Sequence, residues 1–147
     1  MRAACATALA LLLAACSKPA PAPKEAPKRS AGYAYPEVAP AAREAAEALR
    51  RYYDRIEAGD YEAAYAMRTP GGADKARFVA NFRAYERYSA QLGAAGGPVA
   101  QGDFDYVEVP VMTTGRFVGG KPFGTSGTVM LRRARRGPDT RWYVLAR

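Results

Sequence analysis

The chain has 147 residues and a formal net charge of +8, and 49% of its residues are hydrophobic against 24% charged. That length fits one domain, and that composition lies near the globular average, which excludes collagen-like and wholly disordered chains. There is no His, so a histidine base or metal ligand is excluded. The two Cys, at 5 and 16, both lie at the extreme N-terminus, so the body of the chain holds no disulfide framework and no CxxC zinc site.

Arg2 gives a short positive start, and Ala6 to Leu13 is an apolar run too short to cross a hydrocarbon core of ~30 Å. It leads into Leu13-Ala14-Ala15-Cys16, which resembles the bacterial lipobox. The resemblance implies a signal peptide over 1–15, cleavage before Cys16 and acylation of Cys16. Acyl chains then tie the chain to a membrane, each buried CH₂ contributing about 0.8 kcal/mol. Ser17, in place of Asp, implies sorting to the outer membrane on the periplasmic side, by resemblance to Gram-negative lipoproteins. Residues 17–34 hold four Pro and no apolar periodicity, which predicts a tether, disordered or polyproline II. The expected organisation is signal peptide 1–15, lipidated Cys and tether 16–34, and one domain over 35–147. Lys18, Lys24, Lys28 and Arg29 face only Glu25 in the tether. In a cell envelope this basic balance suits anionic head groups or cell-wall polymers, or serves solubility alone; no nucleic-acid partner is expected.

The domain opens with a predicted helix from about Val38 to Ala58. Ala42, Ala45, Leu49, Tyr52, Tyr53 and Ile56 recur at three- and four-residue steps, and Pro36 and Pro40 fit at or before the first turn. Gly59 reads as its stop and Asp60 as the next N-cap. A short second helix is predicted over Tyr61 to Arg68, broken by Thr69-Pro70-Gly71-Gly72. A third starts near Asp74 or Lys75, buries Phe78, Val79 and Phe82, and ends by Glu86.

The period then changes to alternation. Tyr88 to Leu92 is a weak strand. Asp105 to Thr113 is a strong one, with Val107, Val109 and Val111 on one face and Tyr106, Glu108 and Met112 on the other. Pro110 within it implies an edge position or a bulge. Arg116 to Val118 reads as a short strand, Phe123 to Arg133 as a bent strand pairing back, and Trp142 to Ala146 as the closing strand. Helices followed by antiparallel strands define an α+β class: three N-terminal helices packed on a curved antiparallel sheet.

The stretch Arg51 to Tyr65, RYYDRIEAGDYEAAY, resembles the opening of the nuclear transport factor 2-like (SnoaL-like) superfamily. The valine-rich strand, the hairpin and the final strand opening with Trp142 extend the resemblance to the whole domain. It implies a conical pocket between helices and sheet, which relatives use as enzymes, as ligand or protein binders, or as accessory domains. In ketosteroid isomerase a tyrosine at the place of Tyr52 donates to the developing oxyanion, with a carboxylate base and a buried protonated Asp as partners. Here Asp74 is the carboxylate after the second helix and reads better as an N-cap. Glu108 reaches the pocket only if the strand's faces are reversed.

The candidate pocket is therefore Tyr52, Tyr53, Tyr65, Phe78, Phe82, Glu108, Met130 and Trp142, suited to a partly polar aromatic or lipid-like ligand, or simply forming the core. Arg132, Arg133, Arg135, Arg136 and Arg141 on the last hairpin are a candidate surface for lipid phosphates, lipopolysaccharide or peptidoglycan carboxylates. No glycine-rich phosphate loop and no acidic cluster with metal-ligand spacing is present, so neither cofactor nor metal is expected. The expected role is a non-catalytic binding or accessory module for a small apolar ligand or another envelope component. The alternative is an isomerase or cyclase using Tyr52 with Glu108 or Asp74. Self-association through the open sheet face is a further expectation.

Overall fold

The computed structural model describes residues 38–72 and 74–145, all within the unit Tyr35–Arg147. The lipobox with Cys16, the signal segment and the tether lie outside the described residues. Among those described, no helix is long and apolar enough to cross a membrane.

Helix α1 (Pro40–Glu57) starts with Pro at its first turn, where no backbone N–H is needed, and buries Ala42, Ala45, Ala48, Leu49, Tyr52, Tyr53 and Ile56. Its end explains the Ala-Gly-Asp sequence. Gly59 takes a φ of 77°, its N–H donates to the Ile56 carbonyl, and the Asp60 N–H donates to that of Arg55 at 2.8 Å. This double closure satisfies the last carbonyls and needs a left-handed residue, which Gly supplies without strain. Asp60 then caps helix α2 (Tyr61–Ala66), its Oδ1 accepting from the Ala63 N–H.

Helix α2 ends two residues before the predicted Arg68. The chain leaves it extended: Arg68 bridges Val144 in parallel, Val144 N–H donates to the Met67 carbonyl, and Thr69 N–H donates to that of Val144. Two long-range bonds thus replace about half a turn of helix. Helix α3 (Lys75–Arg83) is capped by Asp74, whose Oδ1 accepts from the Arg77 N–H at 2.9 Å.

That helix also stops short of the predicted Glu86, because strand β1 (Tyr85–Leu92) starts at once. Tyr85 stacks on Phe117 and contacts Phe123 across the sheet, and this aromatic packing outweighs the helical tendency of the Tyr-Glu-Arg run. Strand β2 (Val99–Gln101) was not foreseen; all three residues are exposed, so no alternation marks them. Strand β3 (Phe104–Phe117) is one continuous 14-residue strand where two were expected. Strand β4 (Pro122–Ala134) pairs with it throughout, and β5 (Tyr143–Val144) is shorter than predicted.

Among the described residues the five strands pair antiparallel throughout, the isolated Arg68–Val144 bridge being the parallel exception. The order is β1-β3-β4-β5, with β2 on the first part of β3, and the sheet curls into a half-barrel. The continuity of β3 depends on Gly115. A bulge between Tyr85 and Arg87 in β1 presses the Arg87 carbonyl against it, and a Cβ on Gly115 would lie 2.0 Å from that oxygen. Pro110 is not in a bulge, and its edge is a local one within a strand that is central elsewhere. It sits in the ladder opposite Thr128, on the stretch of β3 between β1 and β2, where its carbonyl accepts from Gly93. Its missing N–H therefore costs no strand pairing.

Val107, Val109 and Leu131 of the sheet and Leu49 of α1 form the sealed centre of the core. The free edge of β1 is tied to α1: Ala90 N–H donates to Glu57 Oε1 at 2.8 Å, and Arg50 donates to the Ala90 carbonyl. This covers an edge that would otherwise pair with another chain.

Candidate functional site

A cavity of about 490 Å³ opens between α1, the segment after α2, α3 and β1. Its apolar wall is Tyr52, Phe78, Phe82, Tyr85 and Tyr88, and its polar groups are Arg68, Arg77 and Asn81. The wall forms because two aromatic stripes meet. Tyr52 comes from the buried face of α1, while Phe78 and Phe82 stand one turn apart on α3 with ring centroids at 4.9 Å. Phe82 meets Tyr88 edge-on at 5.3 Å. Such tilted contacts match positive ring edges to negative faces.

Arg68 owes its place to the early end of α2. With its backbone held by β5, its guanidinium lies 4.9 Å from the Phe78 ring centroid. Arg77 and Asn81 share a stripe of α3 beside Phe78 and Phe82, being likewise four residues apart. Burial pushes the Tyr52 phenol up to about 12, against a smaller opposing pull from Arg68, so it stays a protonated hydrogen-bond donor at neutral pH. Tyr53 and Tyr88 are also raised by burial, and a hydrogen bond with Thr113 partly offsets this for Tyr88. No carboxylate lines the cavity.

The structure divides the predicted pocket residues. Tyr52, Phe78 and Phe82 line the cavity together. Tyr65 packs on Phe78 at 5.5 Å from behind. Tyr53 and Met130 border a smaller cavity of about 240 Å³ on the far side of Tyr52 and Arg68, which line both. Glu108 is a correction: it is exposed on the outer face of β3, because the valines of the same strand take the core face. Trp142 is another: it is buried in the core and borders Glu47, Ala48 and Arg51 of α1, and it does not line the cavity. Its indole Nε1 has no hydrogen-bond partner among the described residues. Asp74 is engaged as a helix cap.

The hairpin arginines do not form one free patch. Arg133 pairs with Glu44 at 2.8 Å and with Asp105 at 3.2 Å, and lies over the Trp142 ring. Arg135 shares Asp105. Arg132 lies over Phe104 on the other face of the sheet. Arg141 grips Asp139 through two nitrogens and reaches the Tyr143 hydroxyl, and Tyr143 also donates to Asp139. Arg141 first, and Tyr143 second, hold the Asp139 carboxyl well below its usual range. Arg136 is exposed at the hairpin tip.

Sequence reasoning missed Arg68, Arg77 and Asn81. The 77/81 and 78/82 spacing on one short helix was a legible signal for the latter two. Arg68 had none, since its position depends on a bridge to a residue far along the chain. Among the described residues no group of three or more Cys, Asp or Glu is placed to hold a metal ion.

No family model matches the sequence, and no curated protein matches it. Solved structures do. The Kfla4162 protein from Kribbella flavida is 12% identical, with a TM-score of 0.54 over 71% of this chain and 86% of its own. A nuclear transport factor 2-like superfamily protein from Salmonella enterica is 17% identical, with a TM-score of 0.52 over 69% of this chain and 84% of its own. A Mycobacterium tuberculosis protein of unknown function is also 17% identical, with a TM-score of 0.53 over 71% and 74%. At such identities the likeness concerns the fold: a curled antiparallel sheet with helices, of the nuclear transport factor 2-like kind.

Proposed function

We propose that this chain is a lipid-anchored envelope protein whose domain binds a small, largely apolar ligand between its helices and its sheet, without transforming it. The observation that carries the reading is the cavity itself. It is large enough for a ligand of a few rings, is walled by five aromatic side chains, and holds hydrogen-bond donors without a single carboxylate. An isomerase-type mechanism needs a base within hydrogen-bond reach of the substrate proton. The two carboxylates that the alternative would use stand elsewhere, Glu108 on the outer face and Asp74 at the cap of α3. Tyr52 can orient a ligand oxygen but has no partner to complete an acid–base pair.

The anchoring half of the reading rests on the Leu-Ala-Ala-Cys sequence ending at Cys16 and on the Pro-rich run behind it. Such an arrangement holds a domain beside a membrane, where apolar ligands partition.

Native mass spectrometry of the protein purified from its own envelope fraction tests the binding half. The expected result is a retained small molecule, one per chain, lost when Asn81→Trp obstructs the cavity rim. A clean ligand-free mass from mild extraction would count against it and move the role to contact with another envelope protein. Incorporation of labelled fatty acid that disappears in Cys16→Ser tests the anchoring half.

A further inference from the structure

The geometry points to an acidic ligand: an amphiphile with an apolar body held by Tyr52, Phe78, Phe82 and Tyr88 and one anionic head group held by Arg68. This rests on the cavity being a binding site and names what it binds.

Three observations carry it. First, the lining is electrically one-sided, with Arg68 and Arg77 present and no Asp or Glu. Second, among the described residues neither arginine forms an ion pair, whereas Arg55, Arg133, Arg135 and Arg141 each have a carboxylate partner. Third, Arg68 is half-buried and lies over the Phe78 ring. That contact engages the ring's π face and takes up none of the guanidinium's charge with a carboxylate, and a planar fork of N–H donors suits a bidentate acid group. A cation partly removed from water and without a counter-charge is costly unless a ligand supplies one.

Arg68 also stands at the junction of the two cavities. A head group there leaves the body free to lie along the aromatic wall. Arg77 is exposed at the rim, where it attracts an anion but is too hydrated to fix it. The Tyr52 phenol can donate a further hydrogen bond to the same head. A neutral ligand would leave Arg68 unpaired, and a cationic one would meet two like charges.

Two fluorescent probes with the same ring system test this on the full chain carrying Cys16→Ser: anilinonaphthalene sulfonate, and phenylnaphthylamine, which lacks the sulfonate. The expected result is that the sulfonate binds about tenfold more tightly at low salt. Arg68→Met should abolish that advantage while changing the neutral probe's affinity by less than about twofold, and Arg68→Lys should restore part of it, since charge survives but the fork does not. Asn81→Trp, at the exposed rim of α3, should weaken both probes. Equal affinities unaffected by Arg68→Met overturn the acidic-ligand inference and leave the binding site standing. Probes that do not bind, or that ignore Asn81→Trp, overturn the binding site as well.

Discussion

Two ends of this domain use the same residue for opposite purposes. At the hairpin end, Arg133 and Arg135 share Asp105, Arg133 adds Glu44, and Arg141 is locked to Asp139. Those guanidiniums are structural: they tie the last hairpin to α1 and to itself. At the cavity end, Arg68 and Arg77 face aromatic rings and open space. The difference lies in where the carboxylates fall. Density of arginine in the sequence pointed to the hairpin, but three of its five arginines, Arg133, Arg135 and Arg141, already carry their own counter-charges. The lone Arg68, which no pattern singled out, keeps its charge available.

The contrast can be broken most forcefully at the cavity wall. Phe78 is buried and touches Tyr52, Tyr65 and Phe82, so Phe78→Ala should lower stability by about 3–5 kcal/mol in a denaturant titration. A loss below about 1 kcal/mol would mean that the wall is not part of the core.

Alkaline titration probes the same wall without mutation. Tyr52 has a folded value of about 12 against 10.0 for the free phenol. A group raised in this way contributes stability that is complete below pH 10 and is lost as the pH climbs toward 12. For Tyr52 alone that amounts to about 2–3 kcal/mol. The denaturation midpoint should fall across this window, and less steeply in Tyr52→Phe.

At the other end, Asp105→Ala leaves Arg133 with only Glu44 and Arg135 with no carboxylate. The group is largely buried, at 19% side-chain exposure, so a loss of about 1–3 kcal/mol is expected in thermal unfolding. An unchanged melting temperature would show these pairs to be ornamental and would return the hairpin arginines to candidacy as a contact surface. The smallest effect is the sharpest discriminator. Arg68→Met removes no ion pair, only the contact with the Phe78 ring, and should move stability by no more than about 1 kcal/mol. A large loss would place Arg68 among the structural arginines and dissolve the comparison.

Much of the architecture was legible because it follows from local rules. The stripe from Ala42 to Ile56 on α1, the Gly59-Asp60 junction and the Asp74 cap are each fixed by a few neighbouring residues. So is the alternation of Val107, Val109 and Val111, which also decided that Glu108 must face outward. The pocket was half legible: Tyr52, Tyr53, Phe78 and Phe82 came from helical spacing, though Tyr53 turned to the smaller cavity, while Met130 and Trp142 were assigned to it from their chemistry alone. Trp142 failed because an aromatic residue is buried wherever space exists, and composition does not say on which side of α1.

The amino-acid sequence alone determined the periodicities and the helix caps, since each rests on contacts within a turn or two of chain. Only the tertiary structure decided where α2 stops, that β3 runs unbroken past Gly115, and which arginines are neutralised. Those outcomes depend on Val144 meeting Arg68, on the Arg87 carbonyl pressing on Gly115, and on Glu44 reaching Arg133. Such pairings join residues far apart in the chain, and their free energy exists only once the sheet has curled and brought them together.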